Sequence, residues 1–211
     1  MSYSVKRPFS PPIYISSLTD EFVTLLQTVS RQSKLSGDNI GNRSLGNLDS
    51  QHEAVFIDNQ VELFLNNITP HIRNCVDEFD VKRNIVFNNS SKDGNITYHL
   101  AGGPWINFQG PAEFNPLHAH PGMLAAVLYI DIPECIEEEN KGVANSIRPS
   151  AGMIEFISGS DGLWWESVYS HRPKTGDLII FPASLKHVVY PFKSSAERVS
   201  MSFNVYDINV S

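Results

Sequence analysis

From about residue 84 onward the chain is written in short runs of β-branched and aromatic residues, each cut off by Asn, Gly or Pro. The runs cover 95–100, 105–108, 123–132, 153–157, 178–181, 187–190 and 198–207. Residues of this kind fit a pleated, half-buried surface, and runs this short, with no helical pattern between them, predict an antiparallel barrel or jelly roll. The stretch 137–141, Glu-Glu-Glu-Asn-Lys, reads in that frame as a solvated hairpin tip.

Upstream the period changes from two to about 3.6. Phe22, Leu25, Leu26 and Val29 recur at three- and four-residue spacings behind Thr19 and Asp20, two candidate N-caps, which predicts a helix over 18–33. After a Gly/Asn/Ser-rich stretch at 36–50, Val61, Leu65, Ile68, Ile72, Val76 and Phe79 predict a second helix, with Pro70 expected to divide or kink it. The fold class is therefore mainly β with N-terminal helices (α+β). At 211 residues the chain suits one domain, a helical annex over about 1–83 and a jelly-roll core over about 84–211.

A net charge of -7, with no clustered Lys/Arg face, removes the electrostatic footprint that nucleic acid or an anionic membrane requires, so neither is an expected partner. No apolar run is long enough to span a bilayer. Cys75 and Cys135 are too few for a disulfide framework and the N-terminus lacks a signal-peptide pattern, so a cytoplasmic location is expected. The composition leaves room for a homodimer.

His118-Ala119-His120 stands at the entrance to the run 123–132, and residues two apart in extended chain project from one face, so both imidazoles reach one point. Taken alone the pair divides evenly between a metal site and a structural pair. His187 opens a strand after the turn and buried run Gly176-Asp177-Leu178-Ile179-Ile180-Phe181-Pro182. Joined to the pair, it would complete three facial ligands and leave positions open for a chelating co-substrate and dioxygen. Further on, Arg198, Ser200, Ser202 and Asn204 alternate with Val199, Met201, Phe203 and Val205. A polar face of that kind ordinarily meets solvent; the competing reading is that the planar fork of Arg198 pairs with a carboxylate, with Ser200 and the phenol of Tyr129 as further donors. Tyr129 is equally an ordinary aromatic core residue.

The strings Trp105-Ile106-Asn107, Asn115-Pro116-Leu117-His118-Ala119-His120-Pro121-Gly122, Leu124 to Tyr129, Gly176 through Phe181-Pro182 to His187, and Arg198-Val199-Ser200-Met201-Ser202-Phe203-Asn204 together resemble the 2-oxoglutarate and iron(II)-dependent oxygenases of bacteria and their phages. The resemblance runs from about Trp105 onward. It implies a double-stranded β-helix, a cupin-like jelly-roll barrel, and an enzyme using Fe(II), 2-oxoglutarate and O2 to hydroxylate a substrate with release of succinate and CO2. It also implies His118 and His187 as metal ligands, Arg198 and Ser200 at the co-substrate's C5 carboxylate, and Tyr129 as a further co-substrate contact. His120 stands where the wider superfamily carries an Asp or Glu; a neutral imidazole there leaves one more positive charge on the centre and alters metal preference. Glu113 is a nearby carboxylate that reads better as a loop residue.

Two other readings stay open: a cupin-like three-His metalloenzyme that does not use 2-oxoglutarate, and a non-catalytic β-barrel in a structural protein. Trp105 and Asn107 share a strand face and are expected on the substrate side of the pocket, although Trp105 suits a core equally well. Trp164-Trp165 is either a packing pair or an exposed platform. His52, His71, His99 and His171 lack partners at ligand spacing and read as structural or surface residues. The loops 110–116, 135–150 and 158–165 carry no motif that names a substrate.

Overall fold

The computed structural model describes residues 3–6, 12–41, 46–80, 96–142, 149–164 and 166–210. In chain order its elements are β1 (Tyr3–Lys6), β2 (Ile13–Ser17), α1 (Asp20–Ser36), β3 (Ser50–Glu53), α2 (Gln60–Asp80), β4 (Ile96–Leu100), β5 (Trp105–Gln109), β6 (Asn115–His118), β7 (Leu124–Asp131), α3 (Glu134–Gly142), β8 (Ile154–Ile157), β9 (Val168–His171), β10 (Asp177–Pro182), β11 (Lys186–Val189) and β12 (Arg198–Val210). The expected strand start at Asn95, the annex boundary near residue 84 and Trp165 lie outside the described residues.

Helix α1 starts where its cap requires: Thr19 Oγ1 accepts from the Phe22 amide at 3.2 Å, with Asp20 and Glu21 in the first turn and Lys34 in the last, charges that complement the helix dipole. The expected division of α2 at Pro70 does not occur; the helix continues through it. Pro70 is exposed and removes one backbone donor. The apolar stripe Phe64, Ile68, Ile72, Cys75 and Val76 stays buried on both sides of it, and this packing keeps the helix continuous through the fault.

The strands form two sheets, one ordered β1-β2-β10-β7-β12-β5-β3 with β4 also on β12, the other β6-β11-β8-β9. Every pairing is antiparallel. Strand β7 shows why both faces of the large sheet are apolar. Leu124, Ala126, Leu128 and Ile130 join the cluster packed with Phe22, Leu26 and Val29 of α1 and Phe64, Ile68 and Ile72 of α2. Ala125 and Tyr129 point the other way and pack with Ile154 and Phe156 of β8 and Val189 of β11 in the small sheet. An alternating register thus supplies one layer of helices and one facing sheet.

Two expectations are corrected. The run 137–141 lies in helix α3, not at a hairpin tip: Ile136 is buried, and the Asn140 side chain bonds both the N–H and the carbonyl of Ala151. A helix therefore does interrupt the strands. Second, among the described residues no strand pairing joins the two sheets, so they face one another without closing into a barrel. The first 83 residues also contribute β1, β2 and β3 to the large sheet in addition to α1 and α2.

Candidate active site

The site is built where the two sheets meet at the mouth of β7. His118, the last residue of β6, and His187 of β11 are direct cross-strand partners, and their rings stand 4.2 Å apart. His120 follows two residues on, its ring 4.9 Å from that of His118 and 5.1 Å from that of His187. Its backbone N–H donates to the Ala183 carbonyl at 2.8 Å, while Met123 N–H donates to Val205 O at 2.8 Å. Between them Gly122 takes φ 99°, and a Cβ there would meet the Val205 carbonyl oxygen at 2.6 Å. Only glycine lets this turn lie against β12 and aim His120 inward.

One ring nitrogen from each of the three histidines lies within 4.8 Å of the other two. The Nδ1–H of His118 donates to Pro116 O at 2.6 Å, and that of His187 to Leu185 O at 3.1 Å. A carbonyl only accepts, so Nδ1 carries the proton in both rings and Nε2 presents its lone pair, the tautomer a metal ligand needs. Burial, reinforced by His118, lowers the pKa of His120 to about 4. Burial is also the main cause that brings His187 down to about 3, with His118 and His120 adding to it and its bond to Leu185 opposing it. Both are neutral at physiological pH.

The same cavity, about 260 Å³, is lined by the three histidines and by Tyr129, Arg198 and Ser200. Arg198 is 3% exposed. Its Nη1 donates to Gly152 O at 2.6 Å, its Nε has no partner among the described residues, and its guanidinium sits 5.7 Å from the Tyr129 ring centroid. No Asp or Glu is among the lining residues, and among the described residues Arg198 forms no ion pair. Burial lowers its pKa from the ordinary value and raises that of Tyr129. A buried cation without a counter-charge is costly, and here it faces a cavity of a size to receive one.

Trp105 and Asn107 line this cavity too, as does Ser202. The polar face of β12 thus turns inward at Arg198, Ser200 and Ser202, and Val199, Met201, Phe203 and Val205 enter the helix-side core. Glu113 is not in the histidine cluster; its carboxylate accepts from the backbone N–H groups of Asp49 and Gly110 and so closes a loop. His52 bonds the Gly37 carbonyl and His71 the Tyr14 hydroxyl, whereas His99 and His171 pair with Asp207 and Asp177. Trp164 is 87% exposed. Sequence reasoning missed Gln51 of β3, which also lines the cavity and donates from Nε2 to Asn107 Oδ1 at 2.5 Å. The polar string Ser50-Gln51-His52-Glu53 gives no strand signal, so nothing in the sequence marks it.

Residues 103–204 match the family model described as "Putative 2OG-Fe(II) oxygenase". No curated protein matches the sequence. Among solved structures, HygX from Streptomyces hygroscopicus with nickel and 2-oxoglutarate bound has TM-score 0.55 at 9% identity, covering 90% of this chain and 81% of that one. A prolyl-4-hydroxylase from Pseudomonas putida has TM-score 0.52 at 14% identity over 92% of this chain and 91% of its own. A prolyl hydroxylase from Trichoplax adhaerens, in complex with a hypoxia inducible factor peptide fragment, has TM-score 0.52 at 14% identity over 92% and 83%. At such identities the likeness is one of fold. Residues 103–204, the part of the chain that matches the 2OG-Fe(II) oxygenase model, hold the three histidines, Tyr129 and the inward face of β12.

Proposed function

We propose that this protein is a 2-oxoglutarate- and Fe(II)-dependent dioxygenase that hydroxylates its substrate. His118, His120 and His187 hold the metal, and the two facing sheets act as a double-stranded β-helix in the sense of the family. The observation that carries the reading is the buried Arg198, without a counter-charge among the described residues, in the same cavity as three converging imidazoles. A diacid whose C1 carboxylate and keto oxygen chelate the metal would bring its far carboxylate to that guanidinium, with Ser200 and Tyr129 as neighbouring donors. Bound iron supplies the activation of dioxygen, one atom of which ends in the substrate and the other in succinate. The chain's own part is to keep Nε2 of His118 and His187 free, to anchor the diacid, and to shield the reaction from water. Trp105 and Asn107 line the substrate side.

The donor set fits a divalent metal. It is also neutral, which favours an anionic chelator and is what a cupin-like three-His enzyme without 2-oxoglutarate would carry. Arg198 separates the two readings. In the iron-loaded protein, Arg198→Ala is expected to raise the 2-oxoglutarate KM by about 10- to 100-fold, the worth of a charge-assisted pair. An unchanged KM would favour the cupin-like reading.

A further inference from the structure

Asn107 is 6% exposed, lines the cavity, and is gripped from both sides. Strand β5 lies between β3 and β12. From β3, Gln51 Nε2 donates to Asn107 Oδ1 at 2.5 Å; toward β12, Asn107 Nδ2 donates to Ser202 Oγ at 3.3 Å. A carboxamide has two lone pairs on oxygen and two N–H groups. One of each is engaged sideways, across the sheet, and among the described residues no other bond is made. What remains on this cavity-lining carboxamide is one acceptor and one donor, on adjacent atoms as in any carboxamide.

Such an edge is complementary to a group that offers a donor and an acceptor side by side, which a primary carboxamide does. A carboxylate offers acceptors only and would set lone pair against lone pair; an ammonium offers donors only. Charge argues the same way. Apart from Arg198, which the chelating diacid satisfies, the described residues lining the cavity carry no formal charge, so no side chain is left to pair with a charged substrate group. Size adds that only a small fragment enters. A cavity of about 260 Å³, shared with a five-carbon diacid, lies below the ~300–1,000 Å³ that usually engulfs a whole ligand.

We propose that Asn107, oriented by Gln51 and Ser202, recognises a neutral primary carboxamide presented on a peptide, making Asn or Gln side chains the substrate class. The inference rests on the dioxygenase reading above. The balanced step is one substrate C–H plus 2-oxoglutarate plus O2 giving one C–OH plus succinate plus CO2. The C–H and the oxoacid each lose two electrons, and dioxygen takes up all four.

The test uses the full chain loaded with Fe(II) and two libraries of short N-acetylated, C-methylamidated peptides. They differ only in a fixed central residue, Asn or Gln in one and the isosteric Asp or Glu in the other. The readout is a peptide mass gain of one oxygen atom. The carboxamide library is expected to be oxygenated on the order of 10⁴-fold more efficiently, as for a site built to bond a group its competitor lacks. Asn107→Asp should abolish that preference, and Gln51→Leu, which frees the amide to rotate, should raise KM for the carboxamide peptides more than it lowers kcat. Equal or greater oxygenation of the acidic library, or oxygenation of neither while the iron and 2-oxoglutarate complex forms, overturns the inference alone. Failure of that complex to form overturns the parent reading as well.

Discussion

Arg198 behaves at the residue scale as half of an ion pair. Its guanidinium is buried, and among the described residues Nε is unpartnered and the Gly152 carbonyl is its one hydrogen-bond acceptor, so without the carboxylate proposed for it the charge is a liability to the fold. Arg198→Met, which keeps most of the volume, is therefore expected to leave the metal-free protein no less stable in urea while 2-oxoglutarate binding is lost; a loss of several kcal/mol would mean the charge is already satisfied. The buried histidines give a signed pH dependence. His71, bonded to the Tyr14 hydroxyl, is brought by burial to a pKa of about 4, against an ordinary 6.5 in the unfolded chain. Between those values the unfolded state binds more protons, so stability is level above pH 6.5 and falls as pH drops toward 4. The slope is at most about 1.4 kcal/mol per pH unit for this group, and His120 and His187 act in the same direction in the metal-free protein. Urea midpoints measured across that window should shallow in His71→Gln, and an identical slope would remove His71 from the account.

Legibility differs sharply among the elements. Strand β12 was readable because strict alternation from Arg198 to Val205 matches a pleat; what alternation could not say was which face met solvent, since that is decided by the small sheet opposite. The cap of α1 was readable from Thr19, because a cap is local chemistry. Helix α3 was hidden for the opposite reason. Its sequence, Glu-Cys-Ile-Glu-Glu-Glu-Asn-Lys-Gly, has a single apolar anchor, and what fixes it is tertiary: Asn140 on Ala151, and the Glu139 carboxylate accepting from the Lys193 and Ser194 amides. Strand β3 is polar and is made a strand by its neighbour β5, and so Gln51 escaped. Of the site, the His118–His120 spacing, His187 and the Arg198–Ser200 face were legible, whereas the cross-sheet grip on Asn107 required the fold. Pro70 allows a test at this scale. It is exposed in a continuous helix, so Pro70→Ala restores one backbone bond and is expected to raise stability by about 1 kcal/mol, the helix gain being partly offset by a freer unfolded chain. A destabilised variant would show that the helix is shaped around the proline.

At the scale of the whole molecule, helices back one large sheet and a small sheet faces its other side, so that histidines from β6, the turn after it, and β11 converge on a cavity floored by β7 and β12. No helix among the described residues is long and apolar enough to cross a membrane. Because the residues proposed to hold the metal and 2-oxoglutarate lie up to eighty positions apart in sequence (118 to 198), ligands that bridge them should stabilise the entire fold. Metal with 2-oxoglutarate at about a hundred times its Kd should add about 2.7 kcal/mol to the unfolding free energy, read as a rise in Tm that Arg198→Ala loses and that His187→Ala abolishes. The most direct test of the central claim is an anaerobic titration of the metal-free protein with Fe(II) and then 2-oxoglutarate, watched in the visible region. The account predicts a weak metal-to-ligand charge-transfer band that saturates at one 2-oxoglutarate per chain and needs His118, His120 and His187. Absence of the band at saturating iron and 2-oxoglutarate would contradict it.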